Sequence, residues 1–212
     1  IFNPLNPSEI YCANDGGMYR YVYSESGANW EDINNGYSVT AFYAMDIDRS
    51  AENKTYGGTQ DNGTLGSVQQ NVGWEGVMGG DGFYTVVNSA NPNVVYAETS
   101  GGAMRWVNVQ TRSGGSLMQG ILSNDTADWS APIIGDYDNS TVYHGRKRLY
   151  AMQMGGNKWD LFSPVFDAGT TVSAIGPCTI NTDIVWAGLQ NGGVFRTSNG
   201  GENWKNVSFN GL

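Results

Sequence analysis

The sequence predicts an all-β fold, a β-propeller of about five four-stranded antiparallel blades that forms an arc of a larger ring. Three observations predict it. An aromatic residue closes a short β-rich run at Tyr11, Tyr56, Tyr96, Tyr143 and Trp186, at intervals of 45, 40, 47 and 43 residues, and a propeller blade repeats roughly every 40–45 residues. The phrase "GGMYRYVYSESGANW" near the start returns as "GGVFRTSNGGENW" near the end. The chain of 212 residues holds 30 Gly, 7 Trp, 12 Tyr and 7 Phe, with only 15% charged residues. That profile suits short strands joined by tight turns.

Each blade reads in order as strand, turn, strand, turn, strand, turn, strand. The first strands are "VTAFYAMDI", "FYTVV", "APIIG" and "VSAIG"; only "IF" stands there in the first blade. Asn-, Asp- and Pro-rich turns follow: "NPLNPSEIY", "DRSAENKTY", "NSANPNVVY" and "DYDNSTVY" lead into the anchor aromatic. After the anchor come "ANDGG", "TQDNG", "TSGG" and "LQNGG", where Gly and Asn supply the positive φ of hairpin turns. The third strands carry "MYR", "AMR", "LYA" and "VFR". A last turn reaches Trp in "SGANW", "GGNKW" and "GGENW", and "NVGW" stands in that place in the second blade. The blades span 1–36, 37–78, 79–120, 121–165 and 166–212 within one propeller segment. A single blade cannot bury both faces of its sheet, and stacking the blades about an axis does so.

The phrase "TSNGGENW" at 197–204 resembles an Asp-box, whose pattern is Ser/Thr-x-Asp-x-Gly-x-Thr-Trp, with Asn199 in the place of Asp. "YSESGANW" is a weaker copy with Glu25 there. Asp-boxes (also called BNR repeats) occur in sialidases, sortilin-type receptors and xyloglucanase-type glycoside hydrolases. "GGTQDNGT" and "GGDGFYTVVNSANPNVVYAE" resemble sortilin-like repeat proteins in particular. The resemblance implies that the box folds the turn between third and fourth strands, and that Trp30, Trp159 and Trp204 pack in or between blades. It implies either a binding module or a polysaccharide hydrolase. The clustered arginines and Arg-Ile-Pro phrase of sialidases are absent. A WD-type propeller shares the period but lacks its Gly-His pair here.

A net charge of −9 and a pI near 4.4 repel a phosphate backbone, so nucleic acid is not an expected partner. No apolar run reaches the ~18 residues that span a bilayer. Sequons at Asn53, Asn62, Asn124, Asn139 and Asn206 would permit glycosylation on a secretory route, and the expected location is secreted or cell-surface. Cys12 and Cys178 are too few for a disulfide framework and fit no metal spacing. No cofactor is expected; Ca²⁺ held by Asp-Gly turns is the weaker alternative. At open ends of the arc, further blades of the same protein or another chain are the expected partners.

Up-and-down topology puts turns 1–2 and 3–4 on one rim. Turns 2–3 and the blade connectors lie on the other, nearest the axis. That second face collects Asp15, Gln60 and Asp61 from turns, and Tyr37, Asp81, Asp128 and Trp129 from connectors. Asn14, Asn62, Arg146, Lys147, Gln190, Asn191 and Asp167 fall there too. Loops on a rigid scaffold are where binding residues concentrate, so this face is the predicted site for a protein or polysaccharide ligand. Were the protein a hydrolase, Asp61 and Asp81 would be the acid/base pair, since a glycosidase flanks one bond with two carboxylates. Asp61 and Asp15 also suit plain turn-capping. Asp128-Trp129 reads as a helix-like or turn start. His144, the sole histidine, sits in what reads as a turn-rich stretch and leaves a Ser-His-Asp arrangement little to build on. A purely structural scaffold is the third reading.

Overall fold

In a computed structural model the described residues are 1–14, 17–24, 27–34, 40–50, 54–67 and 73–208. They form five four-stranded antiparallel sheets, each a simple meander, and no helix occurs among them. Sheet 1 comprises β1 (Phe2–Asn3), β2 (Asn6–Asn14), β3 (Gly17–Ser24) and β4 (Gly27–Asp32). Sheet 2 comprises β5 (Phe42–Ile47), β6 (Thr55–Thr59), β7 (Gly63–Ser67) and β8 (Glu75–Met78). Sheet 3 runs β9 (Gly82–Val87), β10 (Val94–Thr99), β11 (Ala103–Asn108) and β12 (Gly114–Ser116). Sheet 4 runs β13 (Ile133–Asp136), β14 (Thr141–Gly145), β15 (Leu149–Gln153) and β16 (Asp160–Leu161). Sheet 5 runs β17 (Val172–Pro177), β18 (Val185–Leu189), β19 (Val194–Thr197) and β20 (Lys205–Asn206).

All five anchor aromatics fall on the second strand of their sheet, opposite Arg20, Gly66, Trp106, Ala151 and Arg196 of the third. The first strand of sheet 1 is a two-residue stub, as "IF" implies. Local chemistry repeats as well. Asp48, Asn88 and Asp136 stand at or just past the end of a first strand, and each accepts backbone N–H groups of its own turn: Ser50, Ala90 and Asn139. Such side chains mimic a backbone turn and fix where the strand ends. The bulge near the start of the first strand also recurs, in sheets 2 and 5.

The core lies between the sheets. Among the described residues three apolar clusters form. Tyr56, Val87 and Val95 join sheets 2 and 3; Val86, Tyr96, Met104, Ile133 and Trp159 join sheets 3 and 4; Tyr143, Leu149, Val172 and Leu189 join sheets 4 and 5. Tyr56, Tyr96 and Tyr143 therefore face the next sheet, and Trp159 and Trp204, just before the fourth strands of sheets 4 and 5, face the previous one. Because sheets flank it on both sides, β14 is buried at every position. No residue of sheet 1 belongs to these clusters.

Two expectations change. Trp30 does not pack between the described sheets: it is half exposed and its ring neighbour is Tyr21 of its own sheet. His144 is not in a turn but within β14, fully buried against Trp159. Cys12 and Cys178 are free thiols.

Candidate functional site

Turns 1–2 and 3–4 share a rim, as topology requires. Gly155, in the β15–β16 turn, donates its N–H to the Tyr96 hydroxyl at 2.8 Å, and Ser89 of the β9–β10 turn donates to the Met154 sulfur. The other rim gathers turns 2–3 and connectors. Gly101, in the β10–β11 turn, donates to the Trp129 carbonyl at 2.9 Å; Lys147, in the β14–β15 turn, donates to the Thr126 carbonyl at 3.1 Å. The connector of residues 117–132 thus lies along the turns of sheets 3 and 4.

On that rim a row of aromatic rings crosses three elements. Tyr43, at the bulge of β5, meets Phe83 of β9 with centroids 4.7 Å apart. Phe83 meets the edge of Trp129 at 5.8 Å. Phe83 is buried, whereas Tyr43 and Trp129 are 49% and 59% exposed. The Tyr43 hydroxyl is 3.5 Å from the Gln60 side-chain oxygen. Beyond Trp129 the row continues as polar groups: Gln190 of sheet 5 donates to Asp128 Oδ2 at 2.5 Å, and its own oxygen accepts from Thr171 at 3.1 Å. Further out, Asn191 donates to Asp167 Oδ2 at 3.0 Å.

Of the predicted residues, Gln60, Asp61, Asp81, Asp128 and Trp129 come together on this rim; Asp15 and Tyr37 lie outside the described residues. The carboxylates already have duties. Asp81 Oδ1 accepts the backbone N–H of Asp61 at 3.0 Å, so Asp81 caps the turn that holds Asp61 at φ +61°. A left-handed non-glycine residue needs such local support. Asp128 accepts the Trp129 N–H through Oδ1 and Gln190 through Oδ2. The Asp128-Trp129 stretch is irregular backbone, not a helix start.

Sequence reasoning missed Tyr43 and Phe83, and it missed the polar cluster beneath the row. Glu98 of β10 has no exposed surface; its Oε1 accepts the N–H groups of Gly102 (3.0 Å) and Ala131 (3.3 Å), and Oε2 has no hydrogen-bond partner. Burial outweighs these bonds and the nearby Arg146 charge, and pushes the Glu98 carboxyl up to about 8. Arg146 donates to the carbonyls of Asp125 (2.8 Å) and Gly102 (2.9 Å). Burial lowers its own pKa, and burial with the Arg146 charge drops His144 to about 3. Asp125 accepts from Tyr150 at 2.5 Å and pairs with Arg148 at 2.6 Å; burial first, then that bond, raises the Tyr150 phenol to about 12. A visible signal existed for Glu98: a carboxylate interrupts the apolar run "VVYAET" at a core position.

No helix of the described residues is long and apolar enough to cross a membrane. Among them no group of three or more His, Cys, Asp or Glu could hold a metal ion. No protein-family model matches the chain, and no curated protein matches it. Solved structures do resemble it. An ancestral GH74 enzyme superposes with a TM-score of 0.61 at 20% identity, over 98% of this chain and 30% of that one. The GH74 xyloglucanase of Xanthomonas campestris gives 0.60 at 13% identity, over 97% and 37%. The extracellular domain of a putative one-component system of B. thetaiotaomicron gives 0.57 at 16%, over 94% and 27%. The chain spans about a third of the length of these structures. At such identities the likeness is one of fold, and with five matching four-stranded sheets it makes this chain a β-propeller segment.

Proposed function

We propose that the chain is a glycan-recognition module whose binding surface is the rim of turns 2–3 and connectors, centred on Tyr43, Phe83 and Trp129. The observation that carries this reading is the aromatic row, exposed at both ends and backed by a buried ring. Exposed aromatic faces stack on the C–H face of a pyranose, and polar side chains beside them bond its hydroxyls. Gln60, Asp61, Asp81, Asp128 and Gln190 stand beside the row to do so. A net charge of −9 favours a neutral polysaccharide over a polyanionic one. A secreted or cell-surface location goes with this reading.

The turn of residues 197–204 supports the Asp-box reading. Thr197 Oγ1 accepts from Gly201 at 3.0 Å, Asn199 Oδ1 accepts from Asn203 at 3.0 Å, and Gly200 and Gly201 take positive φ. The box is then a folding device, and it sits on the rim opposite the aromatic row.

Recognition without hydrolysis is favoured because Asp81, one of the two candidate carboxylates, already accepts the backbone N–H of Asp61, the residue that carries the other, whereas a glycosidase leaves two carboxylates to flank a substrate bond. The test is affinity electrophoresis and calorimetry on a panel of neutral glucans and mannans, with product analysis. Retardation by one polymer, weakened roughly tenfold or more in Trp129→Ala, is the expected result. No retardation by any polymer would overturn the reading. Hydrolysis abolished in a folded Asp61→Asn, Asp81→Asn double variant would replace it with a glycoside hydrolase.

A further inference from the structure

We infer that the buried carboxylate of Glu98 is a proton-controlled latch on the Trp129 end of the binding surface. The inference rests on the glycan-recognition reading for its purpose, but not for its geometry. One oxygen of Glu98 joins two pieces of backbone that flank Trp129. Gly102 N–H belongs to the β10–β11 turn, whose neighbour Gly101 donates to the Trp129 carbonyl; Ala131 N–H lies two residues past Trp129. The three bonds together bind the Trp129 segment to the end of sheet 3. Trp129 touches the rest of the row only edge-on, through Phe83, so its position depends on that segment.

Few groups compensate a charge on Glu98. Arg146, in the β14–β15 turn, is the facing cation, yet its hydrogen bonds go to the carbonyls of Asp125 and Gly102 and to His144 Nε2. From β14, His144 is held neutral by burial. From β9, the Tyr84 phenol is raised by burial and by the charges of Glu98 and Asp128. From the connector, Asp125 is paired with Arg148 and Asp128 is bonded to Gln190, so neither brings a cation to Glu98. Glu98 Oε2 makes no hydrogen bond of ordinary geometry, and the Tyr84 backbone N–H of β9, which also favours the charged form, does not offset the burial. An ionised carboxylate here is poorly solvated, and lifting the Trp129 segment would let water reach it.

The sign follows from linkage. The closed form holds its proton up to about pH 8, while an opened, hydrated Glu98 titrates near its ordinary 4.5. Opening therefore becomes more favourable as pH rises from 4.5 to 8, and levels off above 8, by up to roughly three-thousandfold in total if opening hydrates the group fully. The aromatic row is complete under mildly acidic conditions and loosens toward alkaline ones.

Amide exchange of Gly101, Gly102 and Ala131 tests the latch without any ligand. After correction for intrinsic rates, their opening constant in the unaltered protein should rise at least tenfold between pH 5 and pH 8. In Glu98→Gln, which keeps the shape and one acceptor oxygen, it should not change with pH. A flat profile in the unaltered protein, or parallel profiles in the two proteins, would overturn the latch; the first outcome needs no variant to fold. Glucan affinity over the same pH range is a separate readout. Exchange that follows Glu98 with no glucan bound at any pH would leave the latch standing and sink the glycan reading.

Discussion

Sheets 1 and 4 end in nearly the same words, "SGANW" and "GGNKW", and the two tryptophans meet opposite fates. Trp159 is 1% exposed, donates its indole N–H to the carbonyl of Leu117, just past the last strand of sheet 3, at 2.7 Å, and lies over His144. Trp30 is 50% exposed and touches the ring of Tyr21 across one strand pair. The phrase dictates a turn and aims the indole backwards. Whether the indole is core depends on the sheet packed against it: sheet 3 lies against Trp159, and among the described residues no other sheet lies against Trp30. The same rule acts at the other end of the row. Tyr56, Tyr96 and Tyr143 are buried against a following sheet, while Trp186 on the outer face of sheet 5 is exposed, with Arg196 5.5 Å above its ring.

Truncation is the most direct way to break this comparison. Trp159→Ala should cost about 3–5 kcal/mol, the range for emptying a large aromatic site in a close-packed interior. Trp30→Ala should cost under about 1 kcal/mol, since a half-exposed ring loses little burial and leaves no cavity. Urea unfolding of the two variants decides it. Equal losses would mean that Trp30 is covered in solution.

The pair also marks how far the sequence could be read. The anchor aromatics, the turn phrases and the four-strand rhythm were all legible, because they are local signals in φ, strand period and turn chemistry. The rim on which Gln60, Asp61, Asp81, Asp128 and Trp129 gather was legible too, since meander topology alone assigns turns to rims. What the carboxylates do there was not. Asp81 looked like a ligand group between glycines, yet it caps a turn twenty positions earlier, a contact between a turn and the following connector with no spacing signature. Tyr43 and Phe83 read as ordinary strand residues; they become a platform only because neighbouring first strands converge near the axis. Arg146 was placed on this face by topology and Glu98 was marked as a carboxylate in an apolar run, but their association was not legible, because Ala131, Asp125 and His144 reach them from other parts of the chain.

The pH response sharpens the contrast between the enclosed and open regions. Glu98 and His144 both lie around the junction of sheets 3 and 4, and they act in opposite directions. Glu98 is raised from 4.5 to about 8, so its contribution falls as pH climbs through that interval. His144 is lowered from 6.5 to about 3, so its contribution is present above 6.5 and is lost as pH drops toward 3. Between 4.5 and 6.5 the two slopes cancel. Stability should be level there and fall by a few kcal/mol toward pH 8 and toward pH 3, an upper bound set by ~1.4 kcal/mol per pH unit. Glu98→Gln should remove the alkaline fall and leave the acid one. Denaturant midpoints across pH 3–9 measure both, and an alkaline limb that survives in Glu98→Gln would assign it to another group.

A glycine gives the next smaller effect. Gly120 has φ +92°, and a Cβ there would run into the carbonyl of Trp159. Gly27, at the start of β4 in sheet 1, also has positive φ, at 132°, but a Cβ there would meet open space. Gly120→Ala should therefore cost more than Gly27→Ala, by about 1–2 kcal/mol, because both are strained in backbone and only one also clashes. Matched midpoint shifts would show that the clash relaxes without loss.

The smallest effect separates two indoles that are both packed. Trp159 and Trp204 each reach back to a carbonyl of the preceding sheet's segment, Leu117 at 2.7 Å and Phe162 at 3.4 Å. Trp204 is only partly buried, within a cage of Phe162 and Phe166. Replacing either by Phe keeps a ring in place and deletes the N–H. At position 159 the Leu117 carbonyl then loses its donor in the interior, which costs about 1–3 kcal/mol beyond the lost ring volume. At position 204 the longer bond lies near solvent, and water can replace the indole, so the cost should stay under about 1 kcal/mol. If Trp204→Phe proved as damaging as Trp159→Phe, the distance from an open face would not be what grades these junctions. The back-reaching hydrogen bond itself would then be the common unit of their stability.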